Sequence, residues 1–284
     1  MRGLGGILYT ALALAYLGRG AIEVWLCCKI GEDIAAEVMH ILASCPYVRP
    51  EGVQVVQQAN FHSQIQYLAG GGKEERLIGD LPPVAWVDLA PLAGSVNGWL
   101  VNFITGLEVD LPTLGRLRES SAGPVLMDVH SLTLGRAADG RRFLNKPAAW
   151  PKWIALADVV QMNEIEAGLL AGWHMPARAD LETFVKLLLT MGPQASALTL
   201  GAEGGVGAWR AGPRDRICSF EAEEPDGAVD TTGCGDVFLA GLGAGLFGGR
   251  PFDECLQGAA KAAGLNSRLK GVAALEQLAE LELL

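Results

Sequence analysis

The chain has 284 residues, of which 50% are hydrophobic and 19% are charged, a composition typical of a folded globular protein and not of a disordered one. Its formal net charge is −10 and it contains no cluster of Lys and Arg, so a nucleic-acid partner is not expected. The length fits one large α/β domain or two smaller ones.

The first twenty residues, MRGLGGILYTALALAYLGRG, combine a basic residue with an apolar run and therefore resemble a signal peptide. An apolar helix packed on a parallel sheet would have the same composition. We favour the helix because Gly5-Gly6 precedes the run, and because a strand-like AIEVWLCCKIG and a helix-like EDIAAEVMHILA follow at once. Since no apolar stretch is long enough to cross a bilayer, the sequence predicts a cytoplasmic protein without a membrane partner.

Strand-like apolar runs alternate with helical patterns along most of the chain, which predicts an α/β fold with a mostly parallel sheet flanked by helices. The predicted strands lie near 22–29, 83–88, 124–129, 157–162, 195–200 and 205–209. The predicted helices lie near 6–17, 32–44, 94–105, 111–120, 164–171, 180–191, 235–247 and 252–268.

Residues 53–78 interrupt this alternation. They read as short β segments around a turn at Gly70-Gly71-Gly72, with no helix between them. Such an insert cannot bury both of its faces alone, so it is predicted to pack over the main domain as a lid or to pair with another subunit. An ordinary hairpin at the edge of the sheet is the alternative.

The cysteines and histidines do not form a metal or disulfide framework. None of the six cysteines belongs to a Cys-x-x-Cys pair, and the four histidines are scattered without the spacing of metal ligands. Cysteines used in this way are typical of small buried hydrophobic side chains in a reducing compartment.

The strongest chemical signal is the string DTTGCGDVF at residues 230–238, which is followed by an apolar helical run. Its glycines allow a tight turn into the helix, where unpaired N–H groups and the helix dipole favour an anion. An acid at this point can accept the proton of a hydroxyl that attacks a phosphoryl group. We therefore predict Asp236 as a general base, with the amides of Gly233, Cys234 and Gly235 as an anion hole. The alternative is a glycine-rich helix start in which Asp236 only complements the dipole.

The same string resembles the D-T-x-G-A-G-D-x-F signature of the ribokinase-like (PfkB-type) carbohydrate kinase family, with Cys234 in place of the common alanine. The resemblance implies that Asp236 is the catalytic base and that the glycine-rich turn holds the ATP phosphates. It further implies that Asp230 and Thr232 are candidates for binding a monovalent cation such as K⁺.

Three later stretches resemble the family in the same order. ADVVQMNEIEAGLLAG implies that Asn163 and Glu166 organise Mg²⁺ and the ATP phosphates through water, although Asn followed by Glu three residues later is also a simple capping box. ALTLGAEGGVGAW implies that Thr199 and Gly201 lie near the nucleotide. AAKAAGLNSRLKG resembles the helix beside the adenine, with Asn266 as a candidate, and a packing helix with a polar end is the alternative.

The beginning of the chain resembles the first signature of the family, a Gly-Gly turn, a helix that ends in Leu-Gly, a strand and then G-x-D. The resemblance implies that Gly5 and Gly6 let the backbone approach the substrate. Thr10 stands where the family usually has an Asn, with Tyr9 beside it as a candidate substrate contact. Asp33 is predicted at the start of the next helix.

The resemblance implies one ribokinase-like domain over residues 1–284, with a β lid at about 53–80. Arg76, near the end of the lid, corresponds to a position where many members reach the substrate or the phosphates. Asp128 ends a predicted strand and either lines the cleft or belongs to an ordinary strand-end turn. Family members generally have another strand before the Gly-Gly turn, and the expectation here is that this first strand is absent.

Together these features predict an ATP-dependent phosphotransferase that acts on an alcohol hydroxyl of a small sugar, polyol or nucleoside and uses Mg²⁺. A homodimer through the lid strands is a further candidate. The alternative is a non-catalytic or truncated ribokinase-like binding or scaffold protein. A dinucleotide-binding dehydrogenase is disfavoured because its glycine fingerprint should follow the first strand, whereas the glycine turn here is late and ends in Asp.

Overall fold

The structure, a computed structural model, describes residues 3–67, 73–173, 177–223, 230–281 and 283. The turn predicted at Gly70-Gly71-Gly72 lies outside the described residues. The helices are α1 Ile7–Gly18, α2 Glu32–Ala43, α3 Trp86–Ala93, α4 Leu111–Ser120, α5 Trp150–Ile154, α6 Glu164–Ala171, α7 Arg178–Thr190, α8 Cys234–Phe247 and α9 Phe252–Asn266. Short 3-10 helices span His130–Thr133, Gly201–Glu203 and Val272–Glu280.

The strands are β1 Val24–Gly31, β2 Val48–Val56, β3 His62–Tyr67, β4 Lys73–Ile78, β5 Trp99–Asn102, β6 Val125–Asp128, β7 Leu134–Arg136, β8 Arg142–Leu144, β9 Val159–Asn163, β10 Ala195–Thr199, β11 Gly205–Ala211 and β12 Arg214–Phe220.

The main sheet in the described part of the chain has the order β12-β11-β10-β9-β6-β5. Its four strands β5, β6, β9 and β10 pair in parallel, and β11 and β12 extend it in antiparallel pairs. Parallel strands end at the same edge of a sheet, so their carboxyl ends can supply one site together. The predicted fold, a mostly parallel sheet flanked by helices, is confirmed.

Both faces of β6, in the middle of this sheet, are buried. Along β6, Val125 and Met127 pack on the side of α4 and α7, while Leu126 packs on the side of α8 and α9. None of these three side chains is exposed. This alternation is what a strand between two helical layers requires, and it explains why the sequence of the strand is a continuous apolar run.

The apolar run near the beginning of the chain forms a core helix. α1 packs against α8 and against the 3-10 helix at Val272–Glu280, and Leu12, Ala13 and Leu17 are almost completely buried. Among the residues that the structure describes, no helix is both long enough and apolar enough to cross a membrane.

Two predicted elements are wrong. The predicted strand at 83–88 overlaps α3, whose start is capped because the Asp88 carboxylate accepts the Ala85 N–H at 2.8 Å. The predicted helix at 94–105 contains β5, which pairs in parallel with β6. Both stretches are short apolar runs whose periodicity does not separate helix from strand, so tertiary pairing decides.

The predicted insert at 53–78 divides into two parts. Its first residues belong to β2, which pairs in parallel with β1 in a separate two-stranded sheet. The remainder forms the antiparallel hairpin of β3 and β4. A second hairpin, β7 and β8, contacts β4 through a bridge between Arg76 and Arg141 and through the Leu77 N–H, which donates to the Gly140 carbonyl at 2.9 Å.

Candidate active site

One large cavity, with a volume of about 2590 Å³, lies where the carboxyl ends of β5, β6, β9 and β10 meet the start of α8. It brings together most of the site residues predicted from the sequence. The predicted residues that line it are Gly5, Gly6, Asn163, Glu166, Thr199, Gly201, Thr232, Gly233, Cys234, Gly235 and Asp236. Predicted residues from the beginning, the middle and the last quarter of the chain therefore line the same cavity.

The glycine-rich turn is fixed in shape by a contact across the chain. Gly233 is the N-cap of α8 and has a left-handed backbone, with φ of 77°, a conformation that glycine adopts without strain. A Cβ atom at this position would overlap the ring of Tyr9, which is buried. Tyr9 is not among the residues that line the cavity, so it supports the turn from behind.

The backbone amides of the turn differ in their availability. The Cys234 N–H donates to the Thr231 carbonyl at 3.2 Å, so it is already engaged in the turn. The N–H groups of Gly235 and Asp236, in the first turn of α8, have no acceptor among the described residues. These two amides are therefore free to bind an anion, as expected at a helix N-terminus.

Asp236 projects from the first turn of α8 into this region. Burial raises its pKa to about 6, against the lowering effects of a hydrogen bond from Asn102 and of the charge on His130. A carboxylate with a pKa near 6 is ionised at neutral pH and is close to the range in which proton transfer is efficient. The group has the properties that a general base requires.

Asn102 holds the carboxylate in place. This residue ends β5, is 5% exposed, and its Nδ2 donates to Asp236 Oδ1 and to Thr10 Oγ1, both at 2.6 Å. Its own Oδ1 is buried and has no hydrogen-bond partner among the described residues. The sequence interpretation missed Asn102 because it assigned this stretch to a helix. The sequence does contain a signal for this residue. β5 is an apolar run that ends in a polar residue, and the same pattern occurs in β6 and β9.

A second group of titratable side chains adjoins Asp236. Asp128, at the end of β6, is buried and accepts the backbone N–H of His130 at 3.3 Å. His130 Nδ1 lies 3.2 Å from Glu166 Oε1. Burial raises the pKa of Asp128, and the negative charge of Glu166 adds to this effect. Asp128 and Glu166 also line the cavity. Of the two interpretations of Asp128 from the sequence, the structure therefore agrees with the one in which this residue lines the cleft.

The surroundings of His130 favour its charged form. Although burial favours its neutral form, the hydrogen bond with Glu166 and the charges of Asp128, Glu166 and Asp236 raise its pKa to about 9. Its side chain is 49% exposed, and it lines the cavity. The sequence interpretation did not single it out, because nothing in the local pattern links it to Glu166, which is 36 residues away.

Asn163 and Glu166 form the capping box that their spacing predicts. The Asn163 side chain accepts the Glu166 N–H at 3.0 Å, and Glu166 Oε2 accepts the Asn163 N–H at 2.9 Å. Asn163 Nδ2 also donates to Glu166 Oε1 at 2.8 Å. Both carboxylate oxygens are thus occupied by protein donors, and the described residues contain no group of three or more His, Cys, Asp or Glu suited to a metal ion. This donor set fits contact with a nucleotide-borne Mg²⁺ through water, not direct ligation.

Asn266 and Asp230 brace the turn instead of lining the cavity. The buried Asn266 Nδ2 donates to the Thr232 carbonyl at 3.0 Å. Asp230 Oδ1 accepts the Thr232 N–H at 2.9 Å. The geometry therefore gives Asn266 a contact with the glycine-rich turn.

The remaining predicted residues differ in their surroundings. Thr199 ends β10, and Gly201 follows it with φ of 57° and open space beside it. Gly6 has φ of 62°, and a Cβ there would lie 2.8 Å from Ile104. Arg76 is exposed, lies 3.9 Å from Asp139, and is not among the residues that line the cavity.

The mostly parallel sheet, the helices on both of its faces and the acid that follows a glycine turn at the start of α8 define a ribokinase-like α/β protein. The family model described as "pfkB family carbohydrate kinase" matches residues 142–278. This match confirms, over residues 142–278, the resemblance to the ribokinase-like (PfkB-type) carbohydrate kinase family noted in the motifs.

The chain is also similar, at low sequence identity, to three kinases. The chain is 24% identical to the cytidine kinase of Thermococcus kodakarensis over 264 residues, which cover 87% of this chain and 81% of the relative. The ribokinase of Thermotoga maritima superposes with a TM-score of 0.72 at 18% identity, covering 96% of this chain and 84% of that structure. The nucleoside kinase of Burkholderia thailandensis, solved with inosine, gives a TM-score of 0.71 at 20% identity, covering 96% and 81%. At these identities the two structures show a shared fold.

Proposed function

We propose that this protein transfers the γ-phosphoryl group of ATP to an alcohol hydroxyl of a small sugar, polyol or nucleoside, with Asp236 as the general base. One observation carries the proposal. The carboxylate of Asp236, with a pKa near 6, lies in the same turn of α8 as two backbone amides that have no acceptor in the described residues. A base and an anion hole so close together suit attack of a hydroxyl on a phosphoryl group.

In the proposed reaction the acceptor oxygen forms a bond to the γ-phosphorus while the bond from that phosphorus to the leaving oxygen of ADP breaks. The hydroxyl proton moves to Asp236 and is released to water afterwards. The amides of Gly235 and Asp236 hold the negative charge of the phosphoryl oxygens, and the His130 cation adds to the positive field. Catalysis would then consist mainly of positioning and electrostatic stabilisation, with base catalysis by Asp236.

The nucleotide contacts form the second part of the proposal. Mg²⁺ bound to ATP would neutralise phosphate charge, with Asn163 and Glu166 orienting its water ligands. Thr199 and Gly201, which line the cavity, are proposed to lie near the nucleotide, and Asn266 is proposed to hold the turn that its Nδ2 contacts. A K⁺ ion near Asp230 and Thr232 would stabilise the same turn.

The acceptor is proposed to lie on the side of Gly5, Gly6 and Asn102, since all three residues line the cavity and Asn102 contacts Asp236. The names of the relatives, cytidine kinase and nucleoside kinase, support nucleosides among the candidate acceptors, and ribokinase supports pentoses. The β3–β4 hairpin is proposed as the lid, with Arg76 reaching inward when the lid closes. A homodimer through these strands and a cytoplasmic location complete the proposal.

The test measures ADP release from Mg·ATP across pentoses, hexoses, inositols and nucleosides. Wild type is expected to release ADP only with one acceptor class. Asp236→Asn should bind ATP unchanged and lose about 10²- to 10⁴-fold in kcat, the usual contribution of a general base. Thr183→Ala, on the exposed side of α7, is the matched control. Turnover of Asp236→Asn within a few fold of wild type would remove the base from its role.

The competing hypothesis, a non-catalytic binding or scaffold protein, predicts a different pattern. ATP or the acceptor would then bind in calorimetry, and no ADP would form with any compound of the panel. Such a result would reject the proposed phosphotransfer while leaving the family assignment intact.

A further inference from the structure

The β3–β4 hairpin is attached to the main body differently along its two strands. On the β4 side, the Leu77 N–H donates to the Gly140 carbonyl at 2.9 Å, and Arg76 forms a β-bridge with Arg141. On the other side, β3 pairs with β4 and with no other described strand. The attachment of β3 to the body therefore comes from side chains and from the segment that precedes the strand.

Asp33 provides such an attachment. It lies in the first turn of α2, and its Oδ1 accepts the Asn60 N–H at 2.8 Å. The first residue of β3 is His62, whose Nε2 lies 3.0 Å from Asp33 Oδ2. The hydrogen bonds from Asn60 and His62 lower the pKa of Asp33, so the group is an ionised acceptor at neutral pH. Both of its oxygens thus hold the segment that enters the hairpin.

The same segment lies directly on the end of β1. The Gly31 N–H donates to Asn60 Oδ1 at 3.1 Å. A Cβ atom at position 31 would overlap the backbone nitrogen of Asn60 and the carbonyl of Gln58, so the close approach requires glycine. Asn60 is therefore held by the backbone of Gly31 and by the carboxylate of Asp33.

The end of β4 meets this segment as well. Gly79 follows β4 with φ of 108°, and a Cβ atom there would overlap the Asn60 carbonyl. The Gly79 carbonyl accepts a hydrogen bond from Arg136 Nη2 at 2.9 Å, and the Arg136 guanidinium lies 5.9 Å from the centroid of the Phe61 ring. Asn60 thus contacts both strands at the base of the hairpin, and its position sets the direction in which the hairpin leaves the body.

Residues at this base line the cavity of the proposed active site. Asn60, Phe61, His62 and Gln64 are among the lining residues, whereas Asp33 is not. Asp33 therefore acts on the cavity through the residues that it holds. The side chains of Asp33 and His62 are 36% and 44% exposed, so their contact contributes little to the stability of the fold. Such a contact can bias the position of a segment and can break without unfolding the chain.

We infer that Asp33 is a positioning residue for the acceptor, because its hold on Asn60 and His62 sets the position of the β3–β4 hairpin against the cavity. The inference rests on the proposed function, since it takes this hairpin as the lid. Loss of the hold reduces the fraction of molecules whose hairpin is ready to bind the acceptor. If that fraction falls to about a tenth, the apparent dissociation constant rises about tenfold. A bound acceptor restores the position through its own contacts with the hairpin, so turnover at saturation is kept.

The first experiment measures kcat and the KM for the acceptor in Asp33→Ala and Glu32→Ala. Glu32 is the matched control, because it is an exposed acid in the same turn of α2 and is not among the residues that line the cavity. Both variants lose one negative charge at the same helix N-terminus. Asp33→Ala is expected to raise KM about tenfold with kcat close to that of wild type, while Glu32→Ala should match wild type.

Two outcomes of this experiment would overturn the inference. One is an equal KM in Asp33→Ala and Glu32→Ala. The other is a loss of kcat as large as the loss of kcat/KM in Asp33→Ala, which would mean that the side chain acts only in the transition state.

A double-mutant cycle separates the hold from a direct contact of His62 with the acceptor. The amide of His62→Gln can still donate to Asp33, so its KM should lie closer to wild type than that of His62→Ala. Asp33→Ala should also raise KM less in the His62→Ala background than it does alone, because the contact is already lost. Fully additive effects would contradict a hold that acts through His62 and would overturn the inference.

Amide hydrogen exchange tests the inference without catalysis. In the absence of substrate, Asp33→Ala is expected to speed exchange in β3 and β4 about tenfold, while β6 and β9 exchange as in wild type and show that the fold is intact. Glu32→Ala should leave all of these strands unchanged. If exchange changes in this way but no acceptor yields ADP, the hold of Asp33 on the hairpin stands and the phosphotransfer proposal fails. If ADP forms while neither KM nor exchange changes in Asp33→Ala, the phosphotransfer proposal stands and the inference fails.

Discussion

The side chain of Asn102 donates to Asp236 Oδ1 at 2.6 Å, which ties the carboxyl end of β5 to the first turn of α8. This hydrogen bond and burial have opposite effects on the pKa of Asp236. The bond lowers the pKa because it favours the charged carboxylate, whereas burial raises it because it favours the neutral form. The same amide group also donates to Thr10 Oγ1 at 2.6 Å, so α1, β5 and α8 meet at one nitrogen atom. The position and the charge of the proposed base therefore depend on a residue that takes no proton itself.

The first prediction concerns the pH dependence that this bond sets. Asn102→Ala removes a hydrogen bond that lowers the pKa of Asp236, so the pKa is expected to rise above its value of about 6. A base must be deprotonated to act, and the acidic limb of the profile of kcat/KM against pH should therefore move to higher pH. The activity of the variant should fall more at pH 6 than at pH 8.

Thr183→Ala serves as the control for this profile, since Thr183 lies on α7 away from the cavity. A merely structural role for Asn102 would lower activity by the same factor at every pH. An unchanged acidic limb in Asn102→Ala would therefore contradict the positioning role.

The parts of the site that the sequence predicts are those in which local chemistry decides the structure. The turn before α8 forms because Gly233 adopts φ of 77° and the helix starts directly after it. The capping box of Asn163 and Glu166 is fixed by a three-residue spacing, and the structure contains both of its hydrogen bonds. The turn and the capping box both depend on residues that are close together in the sequence, so a sequence motif is sufficient to locate them.

The parts that the sequence does not predict depend on distant partners. β5 has only four residues, and its pairing with β6 decides its structure. His130 acquires its charge from Glu166, 36 residues later. Tyr9 was expected to contact substrate, yet its ring packs on Gly233, more than two hundred residues away in the chain. No pattern within one segment encodes these contacts.

The second prediction uses two glycines with similar backbones and different surroundings. Gly233 has φ of 77° and its missing Cβ would overlap Tyr9, whereas Gly249 has φ of 74° and open space beside it. Alanine at either position should cost about 1–2 kcal/mol of stability from the left-handed backbone. Gly233→Ala must also displace the ring or the turn, so we expect about a 100-fold loss of kcat, the effect of a small misplacement at a reacting centre.

Gly249→Ala is the matched control for this comparison and should keep the kcat of wild type. Urea unfolding gives the stability of each variant, and steady-state kinetics gives its activity. Equal activity of the two variants would show that the shape of the turn at Gly233 does not limit the reaction.

The third prediction separates the two roles of Glu166, which are capping α6 and orienting the water ligands of Mg²⁺. Glu166→Gln keeps an oxygen that can accept a capping hydrogen bond and removes the negative charge. If the carboxylate orients the water ligands of Mg²⁺, the Mg²⁺ concentration for half-maximal activity should rise by about 10- to 100-fold, as for other outer-shell partners of metals. Activity measured over a Mg²⁺ titration at saturating ATP checks this expectation.

Asp110→Asn is the control for Glu166→Gln. Asp110 caps α4 by accepting the Thr113 N–H at 2.8 Å, and it is not among the residues that line the cavity. Asn caps a helix about as well as Asp, and Gln at position 166 keeps an oxygen for the capping hydrogen bond, so both variants should stay close to wild type in stability while only Glu166→Gln changes the Mg²⁺ dependence. A Mg²⁺ titration that matches wild type would leave Glu166 with the capping role alone.

The fourth prediction follows from the charge of His130. Its pKa is raised from 6.5 to about 9, with the hydrogen bond to Glu166 as the largest raising effect. A group whose pKa is higher in the folded state stabilises the fold fully below its ordinary pKa. The stabilising contribution of His130 should therefore be complete below pH 6.5, decline between pH 6.5 and 9, and be lost above about pH 9.

His130→Gln isolates this contribution, because a glutamine amide can still donate to Glu166 but carries no charge. The difference in unfolding free energy between wild type and His130→Gln should be larger at pH 6 than at pH 7.5, and it should level off near pH 9.5. Denaturant unfolding at these three pH values gives the difference directly. A difference that does not change with pH would mean that folding does not raise the pKa of His130, and this side chain would then add little to the proposed positive field at the phosphoryl group at neutral pH.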